Sequence, residues 1–197
     1  MPPRRQFQRK LGDRRYRKMF VIATEGAKTE PQYFSIFQHT PNTVVKIKCL
    51  PGNTQSSPQR VLARMNKFLQ EKGLRKEDEA WLVVDKDSWT EQQLNELYFW
   101  SQSRGNYGLA VSNPQFEIWL LFHFEAGKGV TSAHRCLDML KRYLPGYKKG
   151  SKLDRITMEQ VSSAIYRAKQ RDNPPCSDWP RSTGTTVYRL VEKLLCS

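Results

Sequence analysis

Four acidic residues stand where carboxylates can act together. Glu25 follows the apolar run Met19–Ala23, Asp85 and Asp87 follow the apolar run Ala80–Val84, and Glu117 lies within the apolar stretch 115–124. In a continuing strand residues i and i+2 face the same side, so Asp85 and Asp87 can address one ion. If the runs before them are neighbouring strands, four carboxylates converge on one edge, an arrangement that is unfavourable without a cation. Hard oxygen donors with no His or Cys beside them favour Mg²⁺ or Mn²⁺. Such an edge suits phosphoryl chemistry on a polyanion, because the metal stabilises phosphate charge and helps generate the attacking hydroxide. The plain alternative is that Asp85 and Asp87 are helix caps and loop charges in water, with Glu117 exposed on a polar stripe.

These residues need elements to hold them. Met19–Ala23 (MFVIA) and Ala80–Val84 (AWLVV) read as buried strands, as does Tyr107–Val111, while Val44–Leu50 alternates in the manner of a strand. Between them lie helical patterns. Thr29 with Gln32 suggests a capping box before Tyr33, Phe34 and Phe37, and Pro58 opens a helix with Val61, Leu62, Met65, Phe68 and Leu69 on one face until Gly73. Thr90 with Gln93 caps a third helix, to about Arg104. Asn113-Pro114 opens a fourth, 115–124, with Asn113 as its cap. Strand and helix alternate four times, which predicts an α/β layer with a mostly parallel buried sheet. From Thr131 the pattern is helical only, over 132–144, 158–171 and 185–195. The expected organisation is a basic arm over 1–18, an α/β domain over 19–126, and a helical extension over 127–197 packed on it.

In an open parallel sheet, sites form at the carboxyl ends of the strands. Lys28 and Glu30, at the start of the first helix, stand where phosphate is favoured. Lys28 can hold a scissile phosphate or be an ordinary solvated helix-start residue, and Glu30 reads as complementing the helix dipole. An unpaired charge at Glu117 among Phe116, Ile118, Trp119 and Leu120 is costly, which favours a partner at the site. His123 reads as a satisfied structural histidine. Trp81 and Trp119 read as core, and Trp89 and Trp179, in polar loops, as candidates for stacking on a base.

The chain of 197 residues carries 33 Lys and Arg against 19 Asp and Glu, a net +14. Half of that excess lies in residues 1–18, where Arg4, Arg5, Arg9, Lys10, Arg14, Arg15, Arg17 and Lys18 face one acid, Asp13. Lys148, Lys149 and Lys152 form a second basic cluster. This balance favours a polyanionic partner, nucleic acid ahead of a membrane surface, with a solubilising tail as the bland alternative. No run approaches the roughly 18 apolar residues of a spanning helix, and no apolar segment follows the basic start as in a secretory signal. Cys49, Cys136, Cys176 and Cys196 match no zinc or redox spacing, so they are expected as reduced thiols in a cytoplasmic protein. No GxxxxGK[ST] loop supports nucleotide binding.

The order of Glu25 after the first strand and Asp85 with Asp87 after the third resembles the Toprim pattern of topoisomerases, primases and OLD-type nucleases. More closely, EGAKTEPQYF (25–34), VVDKDSW (83–89), AVSNPQFEIWLLFHFE (110–125) and TTVYRLVEKLL (185–195) resemble the RloB-like family of bacterial phage-defence and abortive-infection loci. The resemblance covers most of the chain from about residue 18. It implies a Toprim-like, Mg²⁺-dependent nuclease acting on RNA or DNA, often encoded beside an ABC/SMC-like ATPase partner. Motif by motif, Glu25 matches the glutamate proposed as general acid/base or metal ligand, and Asp85 and Asp87 match the metal-binding pair. The rival expectation is a nucleic-acid-binding or partner-docking subunit without catalysis.

Overall fold

The computed structural model of the chain describes residues 18–38, 45–52, 57–86, 89–153 and 155–197. The basic residues Arg4, Arg5, Arg9, Lys10, Arg14 and Arg15 lie outside the described residues, as does Asp87. The fold is α/β. Its strands are β1 (Lys18–Thr24), β2 (Val45–Leu50), β3 (Glu79–Asp85), β4 (Tyr107–Asn113) and β5 (Gly184–Thr185). They form one sheet in the order β2-β1-β3-β4-β5, parallel except for the last pair.

The helices are α1 (Thr29–Ser35), α2 (Pro58–Lys72), α3 (Glu91–Gln102), α4 (Glu117–Phe122), α5 (Ala133–Tyr143), α6 (Met158–Arg171) and α7 (Val187–Leu195). Strand alternation divides the core into two halves. Val21, Ala23, Leu82, Val84, Leu109 and Val111 pack beneath Val61 and Met65 of α2 and Leu94 and Leu97 of α3. Phe20, Ile22, Trp81, Val83 and Ala110 face the other way, against Tyr33 and Phe34 of α1, the apolar body of α4, and α5 to α7. Both faces of β1, β3 and β4 are covered, so these strands are apolar along nearly their whole length, whereas β2 at the edge alternates with Lys46 and Lys48 exposed.

This topology sets the position of the site. β1 pairs with β2 on one side and β3 on the other. The chain leaves β1 into α1 on one face and leaves β3 into α3 on the opposite face. The carboxyl ends of β1 and β3 therefore flank the point where strand order reverses, and a crevice opens there.

The start and stop signals of α2 and α3 act as their sequences predict, and α5 and α6 form where the helical pattern places them. Ser57 caps α2 with Pro58 at its first turn, Gly73 ends it at φ +67°, and Thr90 and Thr157 make full capping boxes. Three local expectations fail. Thr29 does not cap α1; Lys28 occupies the cap position, and the Thr29 hydroxyl instead accepts a hydrogen bond from Gly150 N–H at 3.0 Å. Asn113 is the last residue of β4, and its amide donates to the Pro180 carbonyl, while α4 begins only at Glu117. The third failure is β5, in a segment whose pattern is helical. A strand of two residues leaves no periodicity to read, and Thr186 extends it by exchanging hydrogen bonds with Val111 N–H and C=O.

Among the described residues no helix is long and apolar enough to cross a membrane. Cys49, Cys136, Cys176 and Cys196 are free, and burial pushes the first three thiols up to about 12, so they are poor nucleophiles.

Candidate functional site

Three of the four strand-end carboxylates expected from the sequence, Glu25, Asp85 and Glu117, meet in one cleft of about 430 Å³, joined by Glu30, Lys28 and Lys149. Glu25 follows β1, and its backbone N–H continues the ladder to the Val83 carbonyl at 3.0 Å. That fixes where its side chain starts. The carboxylate then reaches across to β3, accepting from Asp85 N–H at 3.1 Å and from the Trp89 indole N–H at 3.2 Å. Trp89 is thus a second support for Glu25, in place of the expected base-stacking surface. Trp179, the other loop tryptophan expected to stack on a base, is fully buried between the sheet and Tyr98.

Glu30 is the residue the sequence undervalues. Instead of complementing a dipole in solvent, it is buried in the wall of the cleft and accepts Gly26 N–H at 3.0 Å. Burial raises its carboxyl above the usual range. Gly26 has no side chain to spare here, because a Cβ at that position would run into the Glu30 carboxylate. Glu117, only 2% exposed, enters from the first turn of α4 and accepts from the Tyr147 hydroxyl at 3.2 Å. Tyr147 was not legible as a site residue, since nothing in its loop sequence marks it. Burial and Glu117 together push its phenol up, so it stays a donor.

Asp85 carries the strain of this arrangement. Part of the residue reaches solvent, yet desolvation and the charges of Glu30, Glu25 and Glu117 push its carboxyl well above the ordinary range. Like charges around one buried group produce that effect, and a cation relieves it. Among the described residues the positive charges lining the cleft are Lys28 and Lys149. Lys149 reaches it from the 145–153 loop. That loop is sealed to α1 by the Gly150–Thr29 hydrogen bond and by a close approach in which Gly150, at φ +88°, leaves no room for a Cβ against the Lys28 stem. Arg64 of α2 approaches from the other sheet face, donating to the Thr24 carbonyl at 2.7 Å in the field of Glu25.

The other sequence candidates fall elsewhere. Lys148 is exposed outside the cleft, and Lys152 lies in an adjoining groove. His123 is structural, as expected. Its ring nitrogens meet the Trp119 carbonyl at 2.9 Å and the Tyr33 hydroxyl at 3.1 Å, and burial lowers it to about 4. Ser112, at the end of β4, is taken up by Thr185 of β5 at 2.9 Å and does not face the site.

The donor set fits a hard divalent cation. It is all carboxylate, with no imidazole or thiolate, and its central member is destabilised as an anion. Glu25, Asp85, Glu117 and Glu30 are the carboxylates of the cleft that such an ion would meet. Among the described residues, no three His, Cys, Asp or Glu side chains are drawn close enough to form a finished metal site.

Comparison with curated proteins and with solved structures returned no match. Residues 20–194 match the family model described as RloB-like protein.

Proposed function

Since the chain belongs to the RloB-like family and gathers its minority charge at one sheet edge, we propose that it is a Mg²⁺- or Mn²⁺-dependent, Toprim-like nuclease effector of phage defence. Its substrate is a phosphodiester in RNA or DNA, and an ABC/SMC-like ATPase partner controls it. The observation that carries this reading is the convergence of Glu25, Asp85, Glu30 and Glu117 on one cleft at the switch point of the sheet. These four carboxylates outnumber the cations near them, Lys28 and Lys149 in the cleft and Arg64 in the field of Glu25.

In this reading Glu25 and Asp85 hold the ion, with Asp87 as a further ligand. When bound, the ion would supply neutralisation of phosphate charge and a water of lowered pKa. The chain's own groups do the rest. Lys149 binds the scissile phosphate from the open side of the cleft, and Lys28 gives the leaving oxygen its proton as the P–O bond breaks. Glu25, oriented by Asp85 N–H and the Trp89 indole, accepts the proton of the attacking water. Glu117, fixed by Tyr147, holds the wall against which the leaving oxygen is aligned.

The test is incubation of the purified protein with tRNA, single-stranded DNA and duplex DNA in Mg²⁺ or Mn²⁺, alone and with the neighbouring ATPase. Asp85→Ala is expected to lower cleavage by about 10²- to 10³-fold, the scale of losing electrostatic stabilisation at a reacting centre. Cleavage that survives in Asp85→Ala sinks the assignment.

A second reading is favoured by one observation, the exposed cations Lys148, Lys152 and Arg155 beside the cleft. In it the protein is a non-catalytic subunit that docks nucleic acid or a partner through its basic surface. Isothermal titration with Mn²⁺ separates the two, because only the nuclease needs a site lost in Asp85→Asn.

A further inference from the structure

Beside the acidic cleft runs a second concavity of about 500 Å³, and the two share a wall. The wall is Tyr147, whose ring lines the groove and whose hydroxyl donates to Glu117 on the cleft side. Whatever occupies the groove therefore lies one side chain away from the carboxylates. Its floor carries a parallel aromatic pair, Phe124 and Tyr143, with centroids 5.1 Å apart and planes within 5°. Tyr143, at the end of α5, is 42% exposed, and its hydroxyl is fixed by the Glu125 carboxylate at 2.8 Å. Exposed Lys152 and Arg155 stand on the rim.

We propose that this groove is a subsite for an unpaired nucleotide of single-stranded nucleic acid, with the base stacked on the Tyr143–Phe124 platform and the flanking phosphates held by Lys152 and Arg155. An aromatic platform beside cations binds any base through its π-face and any backbone through its charge. A base inside a duplex cannot present that face. The volume lies within the range of small-ligand sites and accommodates one or two nucleotides. Lys149 and Lys28 continue the positive path from the groove into the cleft, so a strand seated on Tyr143 runs on toward Glu25 and Asp85. The inference deepens the nuclease reading and rests on it for what happens to the strand, while the binding itself needs no metal.

That separation sets the experiment. Fluorescence anisotropy with a labelled single-stranded homopolymer, oligothymidylate or oligouridylate, is run in EDTA against a labelled duplex of equal length. Tyr143→Ala is expected to weaken single-strand binding about 5- to 150-fold, the range for losing one stacked base. Tyr143→Phe, which keeps the ring and loses only the Glu125 bond, stays within about threefold of wild type. Joint replacement of Lys152 and Arg155 by Gln lowers the slope of log affinity against log salt by up to about 1.4, two phosphates at about 0.7 each. Two results overturn the subsite: unchanged binding in both the Tyr143→Ala and the Lys152/Arg155 variants, or duplex bound as tightly as single strand. Displacement by polyglutamate as readily as by oligonucleotide reassigns the groove to an acidic protein segment. Failure of the nuclease reading looks different, since binding would follow Tyr143 while Mg²⁺-dependent cleavage stayed absent.

Discussion

Asp78 and Glu79 stand where the chain enters β3, and Asp85 stands where it leaves. All three are acids at the ends of buried apolar strands, but their surroundings differ. Asp78 is fully buried and accepts from Met19 N–H at 2.8 Å and from two nitrogens of the Arg75 guanidinium at 2.7 and 2.6 Å. Glu79 accepts from Lys18 at 2.8 Å, Lys193 at 3.0 Å and the Trp81 indole at 2.8 Å. Burial works against both charges, yet these partners hold both carboxyls below the usual range. At the other end Asp85 is pushed the opposite way by burial and by three further acids. The amino end of the sheet thus uses its acids to fasten β1, β3 and α7 together. The carboxyl end holds acids that cost stability unless something positive arrives, which is the pattern expected of a binding site rather than of scaffolding.

The largest effect should come from breaking the amino end. Asp78→Ala takes the acceptor from Met19 N–H and from the half-exposed Arg75 guanidinium, and losing these charge-assisted bonds while leaving a buried N–H unsatisfied costs about 3 kcal/mol. For a chain of this size that is a fall of roughly 10 °C in Tm, readable by thermal unfolding. An unchanged Tm would place Asp78 in the same class as Asp85 and dissolve the contrast.

Acid titration sharpens it next. The folded pKa values of Asp78 and Glu79 are depressed, so their contribution is present above the unfolded values near 4 and is lost as pH falls through the folded values. His123 shows the same sign in a higher window. Its folded value of about 4 lies below the unfolded 6.5, so the unfolded chain binds the extra proton and stability falls by up to roughly 3 kcal/mol from pH 6.5 to pH 4. Urea midpoints measured across pH should show the His123 loss first and the amino-end loss below it. In Glu79→Gln the lower step shrinks while the upper one stays.

Much of this contrast could be read from the residues, and the unread part has a definite cause. The apolar strands, the Thr90 cap, Pro58 at the start of α2, and the placing of Glu25 and Asp85 at strand ends are local signals legible in the sequence. Glu30 was misjudged because its role depends on Gly26 turning a backbone N–H toward it. Tyr147 and Gly150 reach the cleft from a loop more than a hundred residues beyond Thr29, and no short-range spacing encodes such an approach. Trp179 was misplaced because a polar neighbourhood in sequence says nothing of the hydrophobic layer that α3 and the sheet build around it. Trp89 was placed in a loop correctly, but its indole bond to Glu25 needs the β1–β3 pairing to exist first.

Metal addition should move the carboxyl end by a slightly smaller amount. A cation bound only to the folded chain stabilises it by about 2.7 kcal/mol at a hundredfold excess over Kd, so Mg²⁺ or Mn²⁺ is expected to raise Tm by several degrees. The rise should persist in Glu79→Gln and vanish in Asp85→Asn. An equal rise in wild type and in both variants would locate the ion elsewhere.

The smallest effect is the most discriminating, because its sign differs between the two ends. Without metal, Asp85→Asn removes the anion that burial and Glu30, Glu25 and Glu117 all disfavour, and leaves a neutral side chain of nearly the same shape. Asp85 N–H, which supports Glu25, is untouched. Replacing a strained functional residue commonly stabilises by about 0.5–2 kcal/mol, so Asp85→Asn is expected to unfold at a slightly higher temperature than wild type in EDTA. At the amino end the equivalent change, Asp78→Asn, loses the charge that Arg75 is bonded to and must destabilise. Thermal unfolding of the two variants side by side in EDTA therefore gives shifts of opposite sign. Two shifts in the same direction would mean that Asp85, too, has a structural partner, and that the cleft is held together by its acids rather than held open for a cation.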